Sequence, residues 1–167
     1  VPMLGYLARS LPVALRARAR RDGRLVSRIA RRVRLSEVDV NGHMNQAAYA
    51  RVLELGRMDW VLRSGAWRHF RRQGIGAVVA EQRIVYRREL KPLQRYVIET
   101  RAVRMDGRLL VFDALMTVGD RVHARGEVKL IFIGSDGVLR HEAATSLCRH
   151  FLTEPARVED WRVVAPA

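Results

Sequence analysis

The sequence predicts one α+β domain in which a single antiparallel sheet curls around a long apolar helix. Helical periodicity runs from Gln46 to about Ser64, and segments of strand-like alternation separated by short turns follow it. The 167 residues are 49% hydrophobic and 29% charged, which is typical of one globular domain. Together these features predict one short strand, one long helix and then three or four antiparallel strands.

Residues 1–30 are predicted to form a separate basic arm. Apolar residues recur there at spacings of three and four, and the arginine-rich run Arg16–Arg24 follows them. The recurring residues are Leu4, Leu7, Leu11, Ala14 and Leu15. The pattern is typical of an amphipathic helix, although Pro12 interrupts it. Two interpretations stay open: the helix contacts an anionic membrane surface weakly, or it packs on its own domain or on a partner subunit.

The charge of the chain is concentrated in this arm. The formal net charge is +14, from 31 basic and 17 acidic residues. Residues 1–34 hold ten arginines against the single acid Asp22, and the rest of the chain is only mildly basic. A basic field favours anionic partners such as phosphates and acidic lipid headgroups, although an excess of arginine is also typical of a GC-rich genome. Because only 7% of residues are aromatic and the strands lack a stacked-aromatic pattern, we expect no nucleic-acid partner.

Cysteine usage, histidine spacing and hydropathy limit the compartment and the cofactors. The only cysteine, Cys148, allows no intrachain disulfide and fits a reducing compartment, and we expect its thiol to be buried. The histidines lack metal-ligand spacing, so we expect no metal. The apolar stretch Val1–Leu15 is shorter than the roughly 20 residues of a membrane span, and its arginines follow it, unlike those of a secretory signal. We therefore predict a cytoplasmic protein whose only membrane contact is peripheral, at the inner face.

The first elements of the predicted domain, residues 31–154, lead to the central helix. Arg31–Leu35 is predicted as a short strand, and Ser36–Asn45 is a polar segment of turn formers. Asn45 is well placed as the N-cap of the central helix, and Gly65 suits its C-terminus. A loop with two glycines then leads to the remaining strands.

Four strand-like segments and a short helix complete the domain. The strands are predicted at Ala77–Leu90, Arg95–Met105, Arg108–Val118 and Arg121–Ile133. Asp106-Gly107 is a two-residue hairpin signal, and the last strand alternates cleanly between apolar and polar residues. Glu142–Leu152 is predicted as a short helix, and residues 155–167 as an irregular C-terminal tail.

The residues with candidate chemistry stand just before the central helix. One acid, one imidazole and two amides fall within seven positions, at Asp39, Asn41, His43 and Asn45. A helix N-terminus offers unpaired N–H groups that stabilise a developing oxyanion, and a nearby carboxylate activates water or attacks directly. Gly42 permits a sharp bend or the close approach of a ligand. From the residues alone, the set is also consistent with turn and cap residues around a packed histidine.

This stretch resembles a known enzyme family. The spacing D-x-x-G-H-x-N-x-x-x-Y from Asp39 to Tyr49, with Glu54 further along the helix, is similar to that of hotdog-fold thioesterases of the 4-hydroxybenzoyl-CoA thioesterase type. The spacing D-x-N-x-H from Asp39 to His43 also resembles that of plant acyl-ACP thioesterases. The motif is moderately specific for the fold and less specific for activity or substrate.

A closer likeness is to the branch called thioesterase superfamily member 6-like. It includes His43–Asn45, Tyr86–Pro92 and Trp161, and it covers most of the chain. Two positions depart from the family pattern, because Gln46 stands where a second Asn is usual and Glu37 where an Asp is frequent. The oxyanion role needs only a backbone N–H, which Gln46 still supplies.

The resemblance implies a hotdog fold, in which a curved antiparallel sheet wraps around a long central helix. It implies hydrolysis of acyl-CoA or acyl-ACP thioesters without a cofactor, in a homodimer or homotetramer with sites between subunits. By this resemblance Asp39 is the base or nucleophile, and Asn41 and His43 orient it, the water or the substrate. The implied substrate contacts are Gly42, Asn45, Gln46, Tyr49, Arg87 and Arg88.

Two alternatives stay open beside this interpretation. Arg87 and Arg88 either meet the phosphates of CoA or form a surface ion pair with Glu89. The chain as a whole is either a hydrolase or a non-catalytic protein that binds acyl thioesters or a membrane surface with the same fold.

Overall fold

The computed structural model describes residues 2–20 and 22–156, and within them helices cover one sheet. The helices are α1 Pro2–Ala19, α2 Gln46–Arg63, α3 Ala66–Arg72 and α4 His141–Cys148. The strands are β1 Val26–Arg32, β2 Gly76–Tyr86, β3 Arg95–Asp106, β4 Leu109–Val118, β5 Arg121–Gly134 and β6 Gly137–Val138. Short 3-10 turns occupy Leu35–Glu37 and Arg149–Phe151.

The strands form one antiparallel sheet in the order β1-β3-β4-β5-β2, with β6 paired to β5. The helix α2 packs on this sheet against β1, β3 and β4. This is the α+β hotdog architecture that the sequence predicts. The strand β2 lies at one end of the sheet, and most of its residues are exposed on both faces.

The central helix begins and ends as predicted, and one glycine lets it approach the sheet closely. The Asn45 side-chain oxygen accepts a hydrogen bond from the Ala47 N–H at 2.8 Å, which confirms Asn45 as the N-cap. At Gly56 an added Cβ would lie 2.3 Å from Oγ1 of Thr100 on β3. Only glycine therefore fits at this contact between α2 and the sheet.

The buried residues form two clusters that divide α2 along its length. The N-terminal cluster lies below the first half of the helix and includes Val33, Met44, Ala48, Tyr49, Val52, Leu53, Leu90, Tyr96, Ile98, Ala114, Met116 and Ala124. The C-terminal cluster includes Trp60, Ala66, Phe70, Ala102, Leu110, Phe112, Val128, Leu130, Phe132, Ala144, Leu147 and Cys148. Aromatic edge-to-face pairs hold this second cluster, with ring centroids 4.8 Å apart for Trp60 and Phe112. The expected burial of Cys148 is confirmed.

The first strand lies earlier in the chain than predicted. The prediction of Arg31–Leu35 is wrong, since β1 spans Val26–Arg32 and pairs with Arg95–Arg101 of β3. The arginine-rich sequence has little apolar alternation, so pairing with β3 decides where the strand lies. The predicted boundary between arm and domain at residue 30 consequently falls inside β1.

Three other element boundaries differ from the prediction. The strand β2 ends at Tyr86 rather than Leu90, because the Arg87 and Arg88 N–H groups both donate to the His123 carbonyl, which interrupts the regular pairing with β5. The helix α3 occupies a stretch predicted as loop, because its seven residues are too short to show helical periodicity. The helix α4 ends at Cys148 instead of Leu152. Trp161 and residues 157–167 of the predicted tail lie outside the described residues.

The helix α1 confirms the helical prediction for the arm but packs through an unexpected face. It contacts α2, and its buried residues include Ser10 and Ala17. The predicted apolar stripe remains largely exposed at Leu7, Leu11 and Leu15. Among residues 2–20 and 22–156, no helix has both the length and the apolar character needed to cross a membrane.

Candidate active site

A tight loop places the predicted acid and imidazole before α2. Val38 and Met44 form a β-bridge, and the Asp39 N–H donates to the His43 carbonyl at 3.0 Å. The Asn41 N–H donates to Oδ1 of Asp39 at 2.9 Å, so the carboxylate also organises its own turn. Gly42 has a φ of 76°, a left-handed conformation that favours glycine.

Hydrogen bonds to two neighbouring segments fix the position of this loop. The Met44 N–H donates to the Leu90 carbonyl at 2.8 Å, and the Asn45 N–H donates to the Glu37 carbonyl at 2.7 Å. The buried Glu37 carboxylate in turn accepts the Arg34 N–H at 3.0 Å. The acid and imidazole therefore sit on a loop held from both sides.

The first turn of α2 leaves one donor available beside the loop. The Ala47 N–H is bonded to the Asn45 side chain, and the Ala48 N–H donates to the Asn45 carbonyl at 2.9 Å. Among the residues that the structure describes, the Gln46 backbone N–H has no acceptor. This N–H group and the positive end of the helix dipole are both suited to a developing oxyanion.

Loop and helix together border a cavity of about 440 Å³. Its lining residues are Asp39, His43, Met44, Gln46, Tyr49, Tyr86, Arg87, Arg88 and Glu89. Oδ1 of Asp39 lies 3.8 Å from Nδ1 of His43, and both side chains are partly exposed. A carboxylate, an imidazole and an unpaired N–H thus meet at one cavity that solvent reaches.

Two tyrosines form the apolar wall of the cavity. The rings of Tyr49 and Tyr86 meet edge to face, with centroids 5.0 Å apart. The Tyr49 hydroxyl accepts the Leu90 N–H at 3.2 Å, and burial raises the pKa of Tyr49 above its ordinary value. Burial also raises the pKa of Tyr86, while a hydrogen bond with the Gln46 side chain opposes that rise. Both phenols therefore stay neutral at physiological pH and serve as wall and hydrogen-bonding groups.

The rim of the cavity next to Tyr86 is a basic segment anchored by His123. The Arg87 and Arg88 N–H groups donate to the His123 carbonyl at 2.8 and 3.0 Å. Nδ1 of His123 lies 2.9 Å from the Glu89 carbonyl, and the ring is buried. A guanidinium N–H of Arg88 donates to the Val122 carbonyl at 3.0 Å. These contacts keep the two arginines at the cavity mouth.

The structure brings most of the predicted site residues together. Asp39, His43, Gln46, Tyr49, Arg87 and Arg88 all line the cavity. Asn41, Gly42 and Asn45 do not line it, and the Asn45 side-chain oxygen is used by the helix cap. The cavity adds Met44, Tyr86 and Glu89, which the prediction gave no site role.

One signal could have identified two of these additional residues. Tyr86 and Glu89 lie in the stretch Tyr86–Pro92 that carries the family resemblance. The anchoring role of His123 had no such signal, because this residue lies on the polar side of an alternating strand. Its backbone contacts with Arg87 and Arg88 arise only when β2 and β5 pair.

Residues 33–161 match the thioesterase-like superfamily, and the chain therefore belongs to it. No curated protein matches the chain in sequence.

Solved structures, among them two that are named as a thioesterase or probable thioesterase, share the fold. YbaW, a probable thioesterase from Escherichia coli, is 21% identical, with a TM-score of 0.69 over 76% of this chain and 99% of that one. The DHNA-CoA thioesterase from Staphylococcus aureus is 18% identical, with a TM-score of 0.61 over 75% and 87%. SAV2348 from Staphylococcus aureus, solved in complex with CoA, is 17% identical, with a TM-score of 0.62 over 83% and 90%. These likenesses show the hotdog fold.

Proposed function

We propose that this protein hydrolyses acyl thioesters, with acyl-CoA or acyl-ACP as its substrate. The observation that carries the proposal is the convergence of Asp39, His43 and the unpaired Gln46 N–H on one cavity of about 440 Å³. Thioester hydrolysis needs a group that delivers the nucleophile and a donor that receives the oxyanion. Membership of the thioesterase-like superfamily and the CoA bound by the structural neighbour SAV2348 support the same chemistry.

In the proposed reaction Asp39 acts on the thioester carbonyl as general base or nucleophile. As a base it takes a proton from water while the water oxygen bonds to the carbonyl carbon. The carbonyl oxygen gains negative charge next to the Gln46 N–H, and the C–S bond breaks when the tetrahedral intermediate collapses. The leaving thiolate recovers a proton from Asp39. As a nucleophile Asp39 attacks the carbonyl carbon, the C–S bond breaks and the thiolate leaves, so that an acyl anhydride forms. Water then hydrolyses the anhydride to the free acid and the Asp39 carboxylate, and the proton released goes to the thiolate.

The other predicted site residues position the reactants. His43, 3.8 Å from Asp39, orients the carboxylate or the water, and Asn41 holds the turn through its N–H bond to Asp39. Gly42 and Asn45 shape the loop and the helix cap around the substrate. Tyr49 supports the acyl end, and Arg87 and Arg88 meet the phosphates of the CoA arm, since guanidinium groups suit phosphate geometry.

Thiol release from a panel of acyl-CoAs and acyl-ACPs of increasing chain length tests this proposal. We expect turnover with at least one chain length, and its loss in Asp39→Asn purified in parallel. Asp120→Asn, a change at an exposed turn, is the matched control. If the protein binds acyl-CoA without releasing thiol, the alternative of a non-catalytic acyl-thioester binding protein replaces this proposal.

We also propose that the active protein is a homodimer or homotetramer. The end strand β2 exposes about half of Val78 and of Val79. An uncovered apolar strand edge favours pairing with a second copy. Light scattering at micromolar concentration tests this, and we expect Val79→Lys to shift the mass toward the monomer.

Two finer assignments belong to the proposal. The 4-hydroxybenzoyl-CoA thioesterase type, and within it the thioesterase superfamily member 6-like branch, is supported by the position of Tyr86–Glu89 on the cavity. A cytoplasmic protein whose arm touches anionic membrane weakly is supported by the exposed leucines of α1.

A further inference from the structure

The helix α1 exposes an apolar ridge although it is packed against the domain. Leu7, Leu11 and Leu15 are 46%, 53% and 59% exposed, and their spacing of four places them on one side of the helix. The side that packs inward carries the small residues Ser10 and Ala17. The leucines therefore do not serve the core of this chain.

A large arginine-lined pocket lies beside the end of this ridge. Its volume is about 720 Å³, and its walls come from the end of α1, the end of α2 and α3. The basic residues that line it are Arg18, Arg63, Arg68, Arg71 and Arg72. Arg63 is neutralised, because it pairs with Asp22 at 2.5 Å and with Asp59 at 3.5 Å. Among the described residues, the other four pair with no carboxylate.

Arg18 and Trp67 join the ridge to the pocket. Arg18 follows Leu15 by three positions, so it continues the leucine side of α1 into the pocket. Trp67 of α3 is 52% exposed, and the Arg71 guanidinium lies 5.4 Å from its ring centroid. The leucine ridge of α1 is thus followed directly by cationic groups of α1 and α3 around the exposed Trp67.

We infer that the leucine ridge and the arginine pocket form one docking surface for a bilayer of anionic phospholipids. The leucines and Trp67 enter the interfacial region, and the arginines of the pocket receive lipid phosphates. The inference rests in part on the proposed membrane contact of the arm, and it adds α3 and the pocket as the headgroup site. A soluble phosphate compound would use the arginines alone and leave the exposed leucines unexplained, whereas a lipid surface uses both.

Co-sedimentation of the full chain with vesicles tests the headgroup site. The vesicles are phosphatidylcholine alone, or phosphatidylcholine with one-third phosphatidylglycerol. The variant Arg71→Gln/Arg72→Gln removes two charges from the pocket, and Arg121→Gln/Arg140→Gln removes two exposed charges outside it. Because each basic residue near an acidic surface strengthens binding about fivefold, we expect the pocket variant to bind the anionic vesicles about 25-fold more weakly. Equal losses in the two variants would overturn the inference.

The apolar half of the surface needs its own variants. Leu11→Gln/Leu15→Gln is expected to weaken binding to the anionic vesicles, and Trp67 fluorescence is expected to shift to the blue on binding and not in Trp67→Phe. If inorganic phosphate displaces the protein from vesicles and the leucine variant binds normally, the pocket is a soluble phosphate site and the inference is wrong.

The outcomes separate this inference from the other proposals. If binding depends on the leucines but not on Arg71 and Arg72, the proposed membrane contact of the arm is supported and the proposed headgroup site is wrong. Thiol release from acyl-CoA without vesicles is measured for every variant, and we expect it unchanged because these residues lie outside the catalytic cavity. An inactive wild-type protein that still binds vesicles through the pocket contradicts the hydrolase proposal alone.

Discussion

A cavity lies at each end of α2, and the two cavities differ in the chemical groups that line them. At its N-terminus, the proposed catalytic cavity combines a carboxylate, an imidazole and tyrosines, and backbone hydrogen bonds hold the loop that carries the first two. At its C-terminus, the arginine pocket gathers like charges on exposed helices. With 18 residues and a rise of about 1.5 Å per residue, the helix separates the two by about 27 Å.

This difference suits the two roles that we propose for these ends. A reaction needs a few different groups at fixed distances, so the loop Val38–Asn45 is tied to Glu37 and Leu90. Contact with an extended anionic surface needs many similar charges with little geometric precision. The core beneath each end differs as well. The aromatic residues of the N-terminal cluster are tyrosines, which carry hydroxyl groups, whereas those of the C-terminal cluster are tryptophan and phenylalanine.

The largest expected effect is at the catalytic end. Asp39→Asn keeps the size of the side chain and most of its hydrogen bonding, but it removes basicity and nucleophilicity. We expect turnover to fall by about 10²–10⁴-fold, with a much smaller change in substrate affinity. Steady-state kinetics of thiol release measure both.

His43 offers the matched comparison within the same loop. His43→Ala is expected to be milder, because in the proposed mechanism the imidazole only positions the reactants. If Asp39→Asn keeps near-normal turnover while His43→Ala abolishes it, the two roles are reversed. If neither change matters in an active protein, the active site lies elsewhere.

The N-terminal cluster is expected to be sensitive to alkaline pH. Burial raises the pKa of Tyr96 to about 12, against an ordinary value near 10. Because the folded protein favours the neutral phenol, neutral Tyr96 contributes to the free energy of unfolding. This contribution is fully present below pH 10 and is lost as the pH rises through about 12. Chemical denaturation from pH 9 to pH 12 is expected to show a loss of about 2–3 kcal/mol that Tyr96→Phe lacks. Equal losses of stability in the wild-type protein and in Tyr96→Phe would contradict this role of Tyr96.

Midway between the two ends, the close contact of α2 with β3 depends on Gly56. Gly56→Ala places a methyl group 2.3 Å from Oγ1 of Thr100 and 3.1 Å from Cγ2 of Ile98, so α2 must move away from β3. We expect a destabilisation of about 1–3 kcal/mol in urea denaturation. Gly76→Ala is the control, because its added Cβ has no neighbour closer than 3.9 Å. A variant at Gly56 as stable as this control shows that the helix has room to shift.

The smallest expected effect is at the C-terminal cluster. Burial raises the pKa of the Cys148 thiol to about 12, so the reactive thiolate is scarce in the folded protein. A thiol reagent at neutral pH is expected to leave the folded protein unmodified and to label it fully in urea. Rapid labelling without denaturant indicates that this cluster opens locally, unlike the tightly tied loop at the other end.

Elements with strong periodicity or a clear terminator could be predicted from the sequence. The helix α2, its cap at Asn45, and strands β3 to β5 lie within one or two residues of their predicted bounds. The sequence could not reveal the position of β1, because an arginine-rich edge strand is selected by its partner β3. It also could not reveal α3, which is too short to show a period.

The sequence by itself determined the fold class and the residues that meet at α2, because Asp39, His43 and Gln46 are local neighbours before and within the first turn of one helix. Only the tertiary structure decided what faces them. Tyr86, Glu89 and His123 lie about 40 to 80 positions further along the chain, and they reach the site only through pairing of β2 with β5. The orientation of α1 was likewise decided by tertiary contacts. Periodicity shows that α1 has an apolar side, but only its packing shows that the leucines on this side face outward.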